Sequence, residues 1–182
     1  MDCKAVSCAT VPLLMEVPSA AVAIEWALAF LGCMHRLVQR PCIVLDIDGT
    51  VLLNEEDGSS KCVLPFQGLC QACEESNISV HCVTARQEDD DNRAYTRRQL
   101  EKCKLHNIDK LYMREPGDDP GEYKFEARRD ITQQGYSILL TFGDQYFDLT
   151  RSARPPAIKG DRIYVGQMAD DGQFGVKLPS EF

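Results

Sequence analysis

The sequence predicts an α/β fold in which a parallel β-sheet carries helices on both faces. Short apolar runs that are typical of buried strands alternate with longer segments of helical periodicity. Three of the apolar runs lead directly to a side chain that can carry chemistry, namely Asp46, Thr84 and Asp144. Because the carboxyl ends of parallel strands meet at one edge of a sheet, where ligands bind, this pattern predicts a functional site at that edge.

The first half of the chain predicts a helix, a strand, a hairpin and a second helix. The helix over 19–39 is predicted by an apolar stripe of helical spacing that contains Val22, Trp26, Ala29, Phe30, Cys33 and Leu37. Residues 42–45 form a continuous apolar run that suits a strand buried on both faces. The polar stretch 51–63, centred on Asp57-Gly58, predicts a short hairpin, and Pro65 opens a helix to about residue 76.

The second half continues the alternation. Strands are predicted at 78–84, 110–113, 137–142 and 162–165. One charged helix starts at Asp91 or Asn92 and ends near residue 105, and another covers 123–134, with Gly135 as its C-terminal cap. The segment 114–122 is rich in Pro, Gly and Asp and is therefore expected to be a loop. We expect one domain over 1–182, with its motif-bearing core at about 42–166.

Composition narrows the classes of function. The formal net charge is -8, which does not suit a protein that binds nucleic acid through a generally basic surface. The 9 cysteines are scattered and several lie in apolar runs, which predicts reduced thiols and a cytoplasmic protein. Residues 20–33 are apolar enough to resemble a signal peptide, but Glu25 interrupts them, so we expect a helix of the mature fold and no membrane association.

Four short pieces of sequence carry candidate chemistry. Asp46 and Asp48 lie in Asp-Ile-Asp-Gly-Thr after the first strand of the core, and Thr84 ends the second. Asp144 and Asp148 follow the strand at 137–142, and Lys124 lies 20 positions before Asp144. Two acidic clusters at two strand ends, with a hydroxyl and an ammonium group beside them, indicate a catalytic site.

These pieces resemble the motifs of the haloacid dehalogenase superfamily. Residues 43–50 are similar to its first motif, an apolar strand followed by Asp-x-Asp-Gly-Thr. Thr84 matches the second motif, Lys124 the third, and Gly143-Asp144 with Asp148 the fourth, Gly-Asp-x-x-x-Asp. Lys110 is a rival for the third motif, but it precedes a strand. The resemblance covers about 42–150 and implies a Rossmann-like fold.

The resemblance also implies roles for the matched residues. Asp46 would be the nucleophile that forms an aspartyl-phosphate, and Asp48 the general acid and base, with a pKa raised by neighbouring carboxylates. Asp46, the backbone carbonyl of Asp48 and Asp144 would bind Mg²⁺, with Asp148 in the surrounding shell. Thr84 and Lys124 would bind the phosphate oxygens.

Within the superfamily, residues 143–149 resemble the acid phosphatase branch. The segments between Asp48 and Lys124 are too short for a large cap domain, so we expect an open site. Arg86 is a candidate substrate-binding residue beside that site. The expected activity is hydrolysis of a phosphomonoester, and the substrate is a small molecule, a phosphoprotein or a nucleic-acid end. A non-catalytic binding or storage protein on the same fold is the alternative.

Three further patterns have competing interpretations. The acidic run 88–91 is expected to cap a helix, and a metal role is the weaker alternative. Arg93 and Arg97 share a helical face and would either contact a phosphorylated polymer or pair with nearby acids. A zinc site from Cys62, Cys70, Cys73 and His81 is disfavoured because structural zinc sites usually show two tight pairs of ligands.

Overall fold

A seven-stranded sheet with helices on both faces forms the centre of the fold. The computed structural model describes residues 14–17, 19–56, 58–149, 163–167 and 174–177. The strands are β1 (Leu14–Val17), β2 (Pro41–Leu45), β3 (Leu52–Asn54), β4 (Ser60–Cys62), β5 (Ser79–Gln87), β6 (Lys110–Arg114), β7 (Ser137–Gly143), β8 (Ile163–Gln167) and β9 (Phe174–Lys177). The helices are α1 (Ala20–Met34), α2 (Pro65–Glu75), α3 (Asp90–Lys102), α4 (Pro120–Gln133) and α5 (Tyr146–Leu149), and a 3-10 turn follows α1 at His35–Leu37.

The strand order creates a switch point beside β2. The sheet runs β1-β8-β9-β7-β2-β5-β6, and β2 is parallel to both of its neighbours, β5 and β7. The chain passes from β2 to β5 and β6 on one side and then returns to β7 on the other side. Ligand sites of open α/β sheets lie where the order reverses in this way, so the carboxyl ends of β2 and β7 mark the expected position.

Two apolar clusters hold the layers together. The larger one buries side chains of α1, α2 and the end of α3 against one face of the sheet, including Phe30, Phe66 and Leu100. The smaller one packs α4, through Ala127 and Ile131, against the other face. The predicted α/β fold with helices on both faces is therefore confirmed.

Helix α1 is apolar over most of its circumference. Ser19 caps it by accepting a hydrogen bond from the Val22 amide, and its buried side chains are Ala23, Ile24, Ala27, Phe30 and Leu31. By length and by a mean hydropathy of 1.3, the stretch Ala20–Leu37 also qualifies as a membrane-crossing helix, a property that core helices and signal sequences share.

A small two-stranded sheet, the hairpin β3–β4, stands apart from the main sheet. Its strands are antiparallel, as predicted, with Leu53 opposite Lys61; Asp57, at its predicted centre, lies outside the described residues. A disulfide joins Cys62 of β4 to Cys103 at the end of α3. The expectation that the thiols are reduced is therefore wrong for these two cysteines.

Most predicted elements are present, with shifted ends. Helix α4 begins at Pro120, three positions before the predicted start, because Asp119 caps it and proline fits the first turn. Strand β5 extends to Gln87, beyond the predicted end. Strands β1 and β9 and the short α5 were not predicted. The last predicted strand is confirmed as β8, although Arg162 lies outside the described residues.

Candidate active site

The strand ends bring the four sequence motifs into one open cleft of about 500 Å³. Strand β2 leads into Asp46 and Asp48, β5 contains Thr84, α4 carries Lys124, and β7 leads into Asp144. All five side chains line the cleft, together with Gly49, Leu53, Asn54, Glu55, Lys61, Ala85, Gln145 and Phe147. The described residues between Asp48 and Lys124 form the hairpin, α2, β5, α3 and β6, and no cap domain covers the opening.

Asp46 is fixed at the floor of the cleft. Its backbone amide donates to the carbonyl of Phe142 in β7 (2.9 Å), which continues the pairing between β2 and β7. Its side chain is 5% exposed. The Lys124 ammonium donates to Oδ1 (2.5 Å), and the Thr50 hydroxyl lies 3.3 Å from Oδ2. These contacts hold the carboxylate in one orientation at the position predicted for a nucleophile.

Lys124 bridges two buried carboxylates. Its ammonium contacts Asp148 as well as Asp46, and its side chain is almost fully buried. Burial lowers the pKa of Lys124, but the two carboxylates outweigh this effect and leave the pKa above its ordinary value. The two carboxylates thus favour the charged form of Lys124 at the centre of the site. Asp148 is also held by the backbone amide of Gln145, which donates to its Oδ2 (2.7 Å).

Three carboxylates gather around this ammonium. Single oxygen atoms of Asp46, Asp144 and Asp148 lie within 4.8 Å of one another, and all three residues are buried. Burial and then the charge of Asp148 raise the pKa of Asp46, and Lys124 offsets this only in part. Burial likewise raises the pKa of Asp144. One ammonium does not balance three carboxylates, so the group fits an additional cation, and an all-oxygen donor set favours a hard one.

Two glycines of the motifs are required by close packing around these carboxylates. A Cβ at Gly49, where φ is +76°, would lie 2.6 Å from Cγ of Asp144. A Cβ at Gly143 would lie 2.2 Å from Cβ of Asp148. Non-bonded atoms essentially never approach this closely, so a side chain at either position would displace the neighbouring acidic side chain from the floor of the cleft.

Asp48 is paired with Arg86, which is a predicted substrate-binding residue. The Arg86 guanidinium donates to both oxygens of Asp48, from Nε (2.8 Å) and from Nη2 (2.7 Å). Its Nη1 donates to Thr96 and Gln99 of α3, and Asn54 of the hairpin also donates to Asp48 (3.3 Å). Arg86 is thereby anchored on the protein, and it is not among the residues that line the cleft.

The pairing changes the expected acidity of Asp48. Burial raises the pKa of Asp48, but the hydrogen bonds and the charge of Arg86 outweigh this effect and leave the pKa below its ordinary value. The expectation of a raised pKa is therefore wrong. A raised pKa is expected only where carboxylates crowd Asp48, and the structure places an arginine against Asp48 instead.

Other candidates lie away from the cleft. The Arg93 guanidinium contacts Glu88 and donates to the carbonyl of Leu111, so it pairs with a nearby acid as the simpler interpretation held. Asp89 caps α3, which confirms the expected capping role of the acidic run. Within the described residues, the group suited to a metal is the carboxylate group, and Cys62 of the disfavoured zinc site is in the disulfide.

The comparison with protein families fits this architecture. The profile of the haloacid dehalogenase superfamily, subfamily IIIB (acid phosphatase), matches residues 55–167. That segment is more than half of the chain, and the chain belongs to this family. The predicted resemblance to the superfamily, and to its acid phosphatase branch, is confirmed.

Individual relatives are more distant. The stem 28 kDa glycoprotein of Glycine max is 36% identical over 63 residues, which is 32% of this chain and 25% of that protein. The stem 31 kDa glycoprotein of the same plant is also 36% identical over 63 residues, which is 22% of its length. The chain thus spans about a quarter of the length of the curated relatives that it matches.

Solved structures show the same fold. A class C acid phosphatase from Bacillus anthracis with tungstate bound superimposes with a TM-score of 0.58 at 17% identity, covering 70% of this chain and 62% of that one. The Pnkp1/Rnl/Hen1 RNA repair complex contains a chain that matches with a TM-score of 0.51 at 23% identity, covering 59% of this chain and 37% of that one.

Proposed function

We propose that this protein is a phosphomonoester hydrolase that works through an aspartyl-phosphate on Asp46. The observation that carries the proposal is the buried Asp46 carboxylate, oriented by Lys124 and Thr50 at the floor of an open cleft. Membership of an acid phosphatase family supports it. A nucleophile beside an acid and a cation has no purpose in binding alone, which argues against the non-catalytic storage alternative.

In the first step, an oxygen of Asp46 attacks phosphorus and the bond to the leaving oxygen breaks. Lys124 neutralises charge on the attacking carboxylate and on the transferring group, and the Thr84 hydroxyl, which lines the same cleft, donates to a phosphate oxygen. Water then attacks phosphorus, inorganic phosphate leaves, and Asp46 is restored. The acyl-phosphate divides one difficult displacement into two easier ones.

Asp48 moves the protons in both steps. It protonates the leaving oxygen in the first step and takes a proton from the attacking water in the second. Since Arg86 keeps the pKa of Asp48 low, the protonated form is populated mainly on the acid side of neutrality. We therefore infer that Arg86 positions Asp48 and that esters with poor leaving groups react best at acidic pH.

A divalent cation, Mg²⁺ in this proposal, fits the carboxylate group. Oxygen atoms of Asp46 and Asp144 and the backbone carbonyl of Asp48 would hold it, with Asp148 beside them. When bound, the cation offsets the negative charge of the phosphoryl oxygens and so reduces their repulsion from Asp46. Lys124 keeps Asp148 in place next to that position.

The substrate is a phosphorylated small molecule, a phosphoprotein or the end of a nucleic acid. The open cleft supports all three classes, because the hairpin and the β7–α5 turn form its rim and, in the part of the chain that the structure describes, no cap encloses a small ligand. The RNA repair complex among the structural neighbours fits the nucleic-acid alternative. The formal net charge of -8 argues against extended binding of nucleic acid.

Phosphate release from a panel of esters tests the proposal. Sugar phosphates, nucleotides, phosphopeptides and 3′-phosphorylated oligonucleotides are compared with and without Mg²⁺. Chelation with EDTA is expected to stop release, and added Mg²⁺ to restore it. Full activity in a rigorously metal-free sample would refute the cation requirement, and the absence of release from every ester would refute the hydrolase assignment.

A further inference from the structure

The cleft extends well beyond the space that a phosphate group occupies. The residues proposed to handle the phosphate, such as Asp46, Thr84 and Lys124, are at most 4% exposed and form the floor. The rim is formed by exposed or half-buried side chains, with Glu55 and Lys61 on the hairpin and Phe147 on α5. A cleft of about 500 Å³ is in the size range of small-molecule sites, so the rim has room to contact the leaving group.

The hairpin presents one face to the cleft and fastens the other face to α3. Neighbouring residues of a strand point to opposite faces. On β4, Ser60 accepts a hydrogen bond from Gln99 of α3 (3.0 Å), and Cys62 is joined to Cys103. Lys61 lies between these two attachments and therefore projects from the opposite face, where it lines the cleft.

Lys61 differs from the other cations of the site in its partners. Lys124 contacts Asp46 and Asp148, and Arg86 contacts Asp48. Among the described residues, no carboxylate lies at ion-pair distance from Lys61. Its ammonium is exposed at the rim, while the flanking residues on both sides are held to α3. The position is thus preorganised, and the charge is available to a ligand.

We propose that Lys61 is a specificity residue that recognises a second anionic group, a carboxylate or another phosphate, on the leaving group of the substrate. The inference rests on the proposed hydrolase function and adds the substrate class, which is phosphomonoesters with a negatively charged leaving group. Glu55 lines the same rim and opposes the binding of such a group. At an exposed site, an ion pair of this kind is expected to be worth up to about fivefold in kcat/KM.

Matched aryl esters isolate the charge of the leaving group. Phenyl phosphate with a para carboxylate is compared with phenyl phosphate that carries a para carboxamide, which has nearly the same shape and no charge. Benzene-1,4-bisphosphate tests whether phosphate serves as the second anion better than carboxylate does. The wild-type protein is expected to prefer both charged esters over the carboxamide through a lower KM, and added salt is expected to reduce the preference.

Variants assign the preference to Lys61. Lys61→Ala should remove it by raising KM for the charged esters more than KM for the carboxamide ester, and Lys61→Arg should retain it. Glu55→Gln should increase the preference, since it removes a repelling charge. Lys102→Ala is the matched control, because it removes an exposed lysine of α3 that does not line this cleft.

The possible results distinguish the role of Lys61 from the proposed hydrolase function on which it rests. A preference that disappears in Lys61→Ala and persists in Lys61→Arg and Lys102→Ala supports the assignment. Equal kcat/KM for the carboxylate and carboxamide esters in the wild type, or an unchanged preference in Lys61→Ala, would overturn it while hydrolysis of phenyl phosphate stands. Failure of the wild type to hydrolyse any ester would overturn the proposed function itself.

Discussion

The two walls of the cleft are built in different ways. The deep wall comes from the ends of β2 and β7 and from α4, and it holds Asp46, Lys124, Asp144 and Asp148 in a buried network. The outer wall is the hairpin β3–β4, a largely half-buried two-stranded sheet whose strand β4 is attached to α3 by a disulfide and a hydrogen bond. Arg86 links the walls indirectly, because it holds Asp48 and donates to Gln99 of α3, whose amide in turn donates to Ser60 of the hairpin.

This difference implies that the deep wall and the outer wall have separate roles in the reaction. Buried charges act strongly on a reacting phosphate because little water screens them, so the deep wall suits the chemical step. Exposed groups on a separately attached element act weakly on the chemistry but can select the leaving group. Changes in the deep wall should therefore lower kcat, and changes in the hairpin should mainly alter KM.

The largest effect is expected for the nucleophile. Asp46→Asn should lower kcat by a factor of about 10³ or more, because the amide cannot attack phosphorus. Phosphate release and circular dichroism measure activity and folding in parallel. Asp118→Asn is the control, since its exposed side chain lies outside the cleft. Turnover at the wild-type rate by a folded Asp46→Asn protein would exclude Asp46 as the nucleophile.

Loss of the contact between Arg86 and Asp48 is expected to have the next largest effect. Arg86→Gln should lower kcat/KM by roughly tenfold to a hundredfold, because Asp48 loses the group that orients it. The loss should be smaller for 4-nitrophenyl phosphate, whose leaving group needs little protonation.

The pH profile gives a separate test of the same contact. Arg86 lowers the pKa of Asp48, so its removal should raise that pKa and keep the acid form present to higher pH. The alkaline fall of kcat/KM should then shift to higher pH in Arg86→Gln. Arg129→Gln, which breaks an exposed pair with Glu126, should leave the profile unchanged. An unshifted profile in Arg86→Gln would contradict the positioning role.

The attachment of the outer wall can be cut directly. The disulfide spans 41 positions, and a loop of this size predicts a loss of at most about 4 kcal/mol in the free energy of unfolding when it is opened. Cys62→Ser with Cys103→Ser should also raise KM for small esters more than it lowers kcat. Denaturation curves and kinetics measure both effects, with Cys33→Ser as the control. Identical denaturation of the wild type with and without a dithiol reductant would show that the link adds no stability.

Sequence patterns anticipated the deep wall better than the outer one. Asp46 and Asp144 follow predominantly apolar runs, which predict buried parallel strands and so place both residues at one edge of the sheet. The contact of Asp48 with Arg86 joins residues 38 positions apart, and the disulfide joins residues 41 apart. Contacts of that kind depend on how α3 packs beside the hairpin, and no local pattern encodes this.

The sequence patterns missed two strands and placed the start of one helix too late, for different physical reasons. Strands β1 and β9 are short and lie on either side of β8, on the side of the sheet away from β5 and β6, and they lack the long apolar runs that marked the central strands. The start of α4 was set too late, although Asp119 followed by Pro120 is a recognisable start signal. The single-domain organisation and the cytoplasmic location stay predictions.

The smallest effect is expected on the outer face of α3, which bears on the nucleic-acid alternative. Arg93 already contacts Glu88 and the carbonyl of Leu111, whereas Arg97 is exposed. Neither residue lines the cleft. If selection of the leaving group belongs to the hairpin, Arg93→Ala with Arg97→Ala should change KM for a 3′-phosphorylated oligonucleotide by less than about twofold, the range of a solvated charge.

The salt dependence of oligonucleotide kinetics decides this last point. Two lost phosphate contacts would flatten the slope of log(kcat/KM) against log salt concentration by roughly one to two units. An unchanged slope would mean that the outer face of α3 is solvated, and a small-molecule or phosphoprotein substrate would then be favoured. A flattened slope with raised KM, and an unchanged kcat on phenyl phosphate, would instead show that the outer face of α3 contacts the substrate together with the hairpin. That result would favour a nucleic-acid end as the substrate.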